Sequence, residues 1–441
     1  MDNALASQLL MSINSDRLVL ICGAGLSMAS PSHVPSAASL ARDCSDKYEA
    51  KGLALPIGIR DDLEKLADYF FSQGMLVDMI RRLVEWHPFR HSYNFGHETI
   101  ADFLACRAFE FGVTTNYDFL TETAATDLGE PNFQTALHAD ELIEQRPHGF
   151  YLKIHGCCVK DDLRTVWCLP QVANDRTIQG RIESLRNWLS ANLHGKDVLL
   201  VGFWSDWGYL NNLFEGIVNP IQPNRVVLID PDTDTNLSIK APNLWAWANR
   251  ATVNFTHVRE SGAAFLDDLR KRFGLFYFND LFYQSIPTYE GIVGAGSAAT
   301  FPLISLLSSK ELFNLRQDSE GQPCSKIPRR KQPDATTGIF GAHHLIFAQL
   351  GADMDGPRYV FAGKRYRIVQ GAGQGIGEVK ARFDSEPPEP VGTDVVICAG
   401  AFDDAGITSV VRRTSIPGGV VRSGSSGNWI TSDEASLLLG I

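Results

Sequence analysis

The residues of this sequence that are best suited to chemistry stand directly after short apolar runs. Residues 18–21 are apolar, and Gly23, Ala24, Gly25 and Ser27 follow them. Two glycines at this spacing permit a tight turn and let backbone N–H groups approach a phosphate at the start of a helix. A turn from a strand to a helix can also carry two glycines without binding a ligand, so both interpretations stay open on this motif alone.

Later apolar runs also end in polar side chains. Hydroxyl, amide and carboxylate groups at such places could hydrogen-bond a sugar or an amide, or they could cap the next helix. A histidine with its ordinary pKa near 6.5 could act as a general base, or it could be structural. An acidic residue after a later strand often accepts a ribose hydroxyl, although Asp-Pro is also a simple turn. In chain order these residues are Thr115, Asn116, Asp118, His155, Gly202, Ser205 and Asp230.

A parallel sheet would bring these residues together. The apolar runs alternate with segments of helical periodicity such as residues 182–193, and strands that are apolar on both faces belong to a parallel sheet between layers of helices. The pattern predicts an α/β fold with a doubly wound, mostly parallel, Rossmann-like sheet over residues 1–285, whose ligands bind at the carboxyl ends of the strands. Residues 37–105 show no strand pattern and are predicted to form a helical insertion.

The remainder of the chain has a different composition. Residues 286–338 contain stretches rich in Gly, Ala and Ser and a polar stretch with several prolines, which predict a linker-like segment. Residues 339–441 contain short alternating runs divided by glycines, which predict a smaller C-terminal domain with β content. Its role is unknown, and oligomerisation or partner docking are the candidates. The alternating glycines of residues 371–377 predict a flexible hairpin or loop.

Composition excludes several classes of protein. The chain has 40 basic and 51 acidic residues and a formal net charge of −11, so direct nucleic-acid binding is not expected. No apolar run approaches the ~20 residues of a membrane helix, and the start lacks the pattern of a secretory signal, so a cytoplasmic location is expected. Eight scattered cysteines without a CxxC pair predict neither a disulfide scaffold nor a zinc ribbon, and no metal is expected.

The order and content of the strand ends resemble the sirtuin family, whose members carry these elements on a Rossmann-like sheet with a helical insertion. The resemblance covers residues 1–285 only. The first two motifs together look like the bacterial sirtuin-like NAD hydrolase branch of anti-phage defence rather than the protein deacetylase branch, whose zinc-ribbon cysteines are absent here. The motifs, in order, are Gly23-Ala24-Gly25-Leu26-Ser27, Thr115-Asn116-Tyr117-Asp118, His155-Gly156 and residues 202–205.

This resemblance implies an enzyme that hydrolyses the nicotinamide–ribose bond of NAD+ to nicotinamide and ADP-ribose. It implies that Asn116 binds the nicotinamide ribose or the attacking water, that Asp118 orients the carboxamide, and that His155 is the general base. Other residues would hold the diphosphate, the adenosine ribose and the rest of NAD+. They are Gly23, Ala24, Gly25, Ser27, Thr115, Gly202, Ser205 and Asp230.

The resemblance also implies regulation, and rival functions stay open. Unrestrained NAD+ hydrolysis kills the host, so members of this branch need a trigger, which is an appended sensor domain, a signalling nucleotide, an Argonaute or a HerA-type DNA translocase. A homo-oligomer is expected, and the candidate partners are a HerA-type DNA translocase ATPase or an Argonaute-type protein. The rival functions are NAD-dependent protein deacylation or ADP-ribosyl transfer, and a nucleotide-binding sensor or scaffold without turnover. The sequence does not distinguish hydrolysis from cyclisation or transfer of ADP-ribose.

Overall fold

The structure is a computed structural model, and it divides into two compact units, residues 1–267 and residues 268–441. The described residues are 1–130, 133, 135–138, 141, 149–203, 215–321, 330–384, 386, 392–403 and 427–441. Ser205, one of the predicted site residues, lies outside them. Within the described ranges, no helix combines the length and the apolarity that crossing a bilayer requires.

The first unit is built on one parallel sheet. Its strands are β1 Leu18–Cys22, β2 Phe111–Thr114, β3 Thr135–Ala136, β4 Phe150–Lys153, β5 Asp197–Val201, β6 Arg225–Ile229 and β7 Asn254–Val258. The strand order is β3-β4-β2-β1-β5-β6-β7, and every neighbouring pair is parallel. All residues of β1 and β5 are buried, as expected when helices cover both faces. The predicted Rossmann-like sheet is confirmed.

Helices connect these strands and cover the sheet. They are α1 Asn3–Asn14, α2 Ala24–Met28, α3 Ala37–Glu49, α4 Leu63–Ser72, α5 Leu76–Arg82, α6 Phe95–Ala105, α7 Leu120–Asp127, α8 Leu169–Asn174, α9 Arg176–Asn192, α10 Asp234–Lys240 and α11 Pro242–Ala248. The chain between β1 and β2 is helical, which confirms the insertion in the predicted fold class. Buried apolar residues of α3, α4 and α5, such as Leu40, Phe70 and Ile80, share one hydrophobic core.

The second unit contains a smaller mixed sheet, which confirms the predicted C-terminal β content. Its strands are β8 Asp353–Asp355, β9 Arg358–Phe361, β10 Lys364–Gln370, β11 Val395–Ala399 and β12 Asn428–Thr431, in the order β12-β11-β10-β9-β8. The β10–β11 and β11–β12 pairs are parallel, whereas β8, β9 and β10 pair antiparallel. Its helices are α13 Ser309–Glu320, α14 Gly338–Gln349, α15 Ile376–Arg382 and α16 Ser432–Leu439, and α12 Gly262–Val293 spans the boundary between the units.

One segment of the second unit differs from the sequence prediction, and another agrees with one of the two alternatives predicted for it. Part of the segment predicted to be linker-like is α13, which begins with a capping box at Ser308 and buries Leu312 and Leu315. The helix is short and is flanked by residues rich in Gly, Ser and Pro, so the composition of the segment did not reveal it. Of the glycine-rich residues 371–377, residues 371–375 form a turn between β10 and α15, and the last two begin α15. The Gly371 N–H donates to the Ala399 carbonyl at 2.7 Å, so of the two predicted alternatives the segment is a loop and not a hairpin.

Candidate functional site

The predicted site residues that the structure describes meet at the carboxyl edge of the first unit's sheet. A cavity of about 860 Å³ lies there, a volume typical of small-molecule sites. The turns after β1, β2, β4, β5 and β6 form one part of its wall, and apolar side chains including Val34, Leu40 and Phe89 form another. The predicted residues that line it are Ala24, Gly25, Ser27, Thr115, Asn116, Asp118, His155, Gly202 and Asp230.

Three glycines allow the turns after β1 and β5 to touch. The Gly23 N–H donates to the Val201 carbonyl at 3.1 Å, and the Gly25 N–H donates to the Gly202 carbonyl at 2.9 Å. A β-carbon on either Gly23 or Gly25 would lie 2.8 Å from a backbone atom of Gly202. In this structure these two N–H groups therefore hold the turns together, and their predicted role at a diphosphate stays a proposal.

Gly202→Ala is expected to lower the free energy of unfolding by roughly 3 kcal/mol or more. Gly202 has a left-handed φ of +54°, and its β-carbon would lie 2.5 Å from the Leu26 nitrogen. Gly195 is the matched control, because its φ is +71° and nothing lies within 4 Å of its β-carbon. Gly195→Ala should therefore lower the free energy of unfolding by about 1–2 kcal/mol, through backbone strain alone. Urea unfolding of both variants measures the difference, and equal losses would contradict the steric argument.

A buried hydrogen-bond network under the cavity fixes the direction of the Ser27 hydroxyl. The His97 Nδ1 accepts the Asn94 backbone N–H at 3.2 Å, so the ring proton lies on Nε2, which donates to Ser27 Oγ at 3.1 Å. The Ser27 hydroxyl therefore donates to Asp118 Oδ2, at 2.8 Å. Burial lowers the pKa of His97 to about 4, so the ring is neutral at pH 7 and this arrangement is stable there.

Asn116 brings a buried hydrogen-bond acceptor to the cavity. Its Nδ2 donates to the Gly23 carbonyl at 3.2 Å and to Ser27 Oγ at 3.1 Å. Its Oδ1 is buried and has no hydrogen-bond partner among the described residues. A buried acceptor without a donor is destabilising by about 1–3 kcal/mol, so such an atom on a cavity wall is suited to a hydroxyl group or a water that a ligand supplies.

The two predicted aspartates are already oriented by the protein. Asp118 Oδ1 accepts the Leu120 backbone N–H at 3.3 Å, in addition to the Ser27 hydroxyl on Oδ2. Each carboxylate oxygen can accept a second hydrogen bond. Asp230 follows β6, and its Oδ1 accepts the Asp232 N–H at 2.9 Å. Burial raises the pKa of Asp230. Both carboxylates therefore face the cavity in defined orientations.

The protonation of His155 differs from the sequence expectation. His155 is 1% exposed, and burial together with the Arg181 guanidinium lowers the pKa of its ring to about 3. The ordinary pKa near 6.5 that the sequence leads one to expect is wrong for this environment, because the protonated ring would lose hydration beside another cation. At pH 7 His155 is thus a neutral imidazole, and its predicted role as a general base stays a proposal.

Acidification is expected to destabilise the protein through four buried histidines. Burial lowers the pKa of His97 and His343 to about 4, and that of His155 and His344 to about 3. Histidines of the unfolded chain bind protons near pH 6.5. Above that pH the four histidines therefore do not reduce the free energy of unfolding. Below it the free energy of unfolding falls by up to about 1.4 kcal/mol per pH unit for each histidine. Urea unfolding between pH 7 and pH 5 measures this slope, and His97→Gln should make it smaller. Equal free energies of unfolding at pH 7 and at pH 5 would contradict the prediction.

Sequence reasoning missed two parts of the site. His97 lies three residues after Asn94, and the pair forms the capping box that starts α6; this spacing was its only sequence signal. Lys153 is the last residue of β4 and is 1% exposed. A lysine within an otherwise apolar strand pattern is the signal that could have found it, because a buried lysine needs an acidic partner.

Part of this unit matches a known family. A family model described as a SIR2-like domain matches residues 111–250, which is about a third of the chain. The matched segment contains β2 to β6 and, with them, Asn116, Asp118, His155 and Asp230. No protein with a curated description matches the chain.

Solved structures of Sir2 proteins are also similar to the chain. A mutant Sir2 homologue in complex with ADP ribose is 16% identical, and the alignment covers 62% of this chain and 96% of that one, with a TM-score of 0.34. A Sir2 homolog–NAD complex is 14% identical, with coverage of 61% and 92% and a TM-score of 0.29. A structure described under the mechanism and regulation of Sir2 enzymes is 15% identical, with coverage of 62% and 97% and a TM-score of 0.31.

Proposed function

We propose that this chain hydrolyses NAD+ at the bond between nicotinamide and ribose. The observation that carries the proposal is the buried Oδ1 of Asn116, which no described residue hydrogen-bonds and which lies on the wall of the same cavity that His155 and Asp118 line. The SIR2-like match supports it, since all three residues lie within residues 111–250.

The proposed reaction needs little acid catalysis. Nicotinamide leaves as a neutral base when the electron pair of the glycosidic bond passes to its ring nitrogen, and the ribose passes through an oxocarbenium-like state. Asn116 Oδ1 would accept a hydrogen bond from a ribose hydroxyl or from the attacking water, and Asp118 would orient the nicotinamide carboxamide. The water oxygen bonds to the ribose carbon, and its proton goes to the neutral imidazole of His155. An anionic diphosphate bound in the cavity would make that ring more basic.

Chromatography of NAD+ incubated with the pure protein tests the proposal. We expect nicotinamide and ADP-ribose in equal amounts without any acylated peptide. A strict requirement for an acyl-lysine peptide would identify a deacylase instead, and a cyclised or transferred ADP-ribose would change the reaction class. If the protein binds NAD+ tightly but forms no product over hours, with and without candidate partners, it is a nucleotide-binding sensor and not an enzyme.

We further propose that this activity depletes NAD+ in abortive anti-phage defence. The resemblance of the first two motifs to that branch supports this role, as it does a homo-oligomer activated by a HerA-type ATPase or an Argonaute-type partner. Cellular NAD+ measured during phage infection tests it: we expect a fall in cells with the wild-type chain and none with Asn116→Ala. A loss of NAD+ that does not depend on Asn116 would contradict the role.

A further inference from the structure

A charged pair is buried beside the loop that carries Asn116 and Asp118. Lys153 Nζ lies 2.9 Å from Glu122 Oε1, and the two side chains are 1% and 4% exposed. Burial alone would lower the pKa of Lys153, but Glu122, Cys157 and Asp118 raise it above the ordinary value. The lysine is therefore a cation inside the protein.

The Lys153 ammonium also holds the backbone of the site. It donates to the carbonyl of Asp118, while the Cys158 N–H donates to the carbonyl of Tyr117 at 2.8 Å. Two adjacent carbonyls of residues 115–119, here named the Asn116 loop, are thus held by the segment 153–158. That segment also carries His155, so a single stretch of chain sets the position of all three proposed catalytic side chains.

Stability alone does not account for this pair. A buried ion pair loses hydration on both partners, and a well-packed apolar pair of similar volume is often at least as stable. The ammonium does what an apolar side chain cannot, since it donates a hydrogen bond to the Asp118 carbonyl while it is held by Glu122. Thr135 Oγ1 donates to the same Glu122 carboxylate, which fixes that partner in turn.

We infer that Lys153 is a positioning residue, which holds the Asn116 loop at the correct distance from His155. This inference rests on the proposed NAD+ hydrolysis. It predicts that stability and turnover depend on the pair in different ways, because Glu122 stabilises the charge whereas the Lys153 nitrogen makes the contact with the loop.

Three variants and a control separate the two effects. Lys153→Met should lower the Tm by roughly 10 °C, since it leaves Glu122 buried and unpaired, and should lower the kcat of the folded protein at least ~10-fold through misplacement of the loop. Glu122→Gln should also lower the Tm but keep kcat within about 3-fold, because the amine still donates to Asp118. The double variant should regain most of the Tm and none of the kcat. Lys160→Met is the control, because Lys160 is an exposed lysine whose Nζ also donates to a backbone carbonyl, that of Thr135.

Recovery of both Tm and kcat in the double variant would overturn the inference, as would equal losses of kcat in the two single variants. If the double variant stays unstable, the single variants compared at 10 °C still decide between these outcomes. A wild-type protein that never releases nicotinamide removes the proposed function instead. The inference about Lys153 is then tested by calorimetric titration with ADP-ribose. Of the two single variants, only Lys153→Met should weaken binding, and equal affinities of Lys153→Met and wild type would overturn the inference.

Discussion

Asn116→Ala is expected to reduce nicotinamide release from NAD+ by at least about 100-fold, the size of effect that follows loss of one preorganised polar group in an active site. The variant removes the buried Oδ1 that has no partner among the described residues, and this atom is the one suited to a ribose hydroxyl or the attacking water. It also removes the Nδ2 bonds to Gly23 and Ser27. Initial rates of nicotinamide release at saturating NAD+ measure the loss.

A second asparagine separates catalysis from stability in this experiment. Asn224 Nδ2 donates to Asp197 Oδ1 at 2.6 Å. Asn224 directly precedes β6, so it lies at the amino edge of the sheet, opposite the edge that carries the cavity. Asn224→Ala should lower the free energy of unfolding by about 1 kcal/mol and leave the rate of nicotinamide release near that of wild type. Comparable rates in Asn116→Ala and Asn224→Ala would remove Asn116 from the mechanism.

His155→Ala is expected to lower the rate of nicotinamide release by about 10²- to 10⁴-fold, as for other residues that accept a proton in the transition state. The neutral ring is on the cavity wall and is the group in the proposed mechanism that receives the proton of water. His87→Ala, at an exposed position, is the control. A loss smaller than about 10-fold would give His155 a structural role.

The pH profile gives an independent check on His155. Its pKa near 3 keeps the ring neutral from pH 5 to pH 8 in the free protein, so it contributes no fall in kcat/KM as the pH drops through 6.5. Protonation, with loss of the acceptor, begins only as the pH approaches the folded pKa. An acidic limb near pH 6.5 that disappears in His155→Gln would show that the ring titrates at its ordinary value.

Much of the first unit and of its site could be predicted from the sequence, for one physical reason. Parallel strands buried on both faces are nearly pure apolar runs, as in Val198–Val201, and their carboxyl ends share one edge of the sheet. The residues just after each run were therefore expected to be neighbours, and those that the structure describes do line one cavity, apart from Gly23, which contacts the turn after β5 from outside it.

Other features could not be predicted because they depend on contacts distant in sequence. The two-residue strand β3 is too short to show a pattern, and α13 is hidden by the composition around it. The lowered pKa of His155 depends on burial and on Arg181, 26 residues later in the chain. The partners of Lys153 likewise come from α7 and from the turn before it, which no local pattern connects to β4.

The contact among Gly23, Gly25 and Gly202 has a consequence for how this site can change over evolutionary time. Each position lacks room for a methyl group because of the backbone opposite it, so a single substitution meets an obstacle that only a coordinated shift of both turns could remove. The glycine side of the cavity should then vary little among descendants of this chain. Adaptation to a new ligand would come instead from lining positions that are not buried in the core, such as Met28, Pro35 and Ala38, where side chains can change size one at a time.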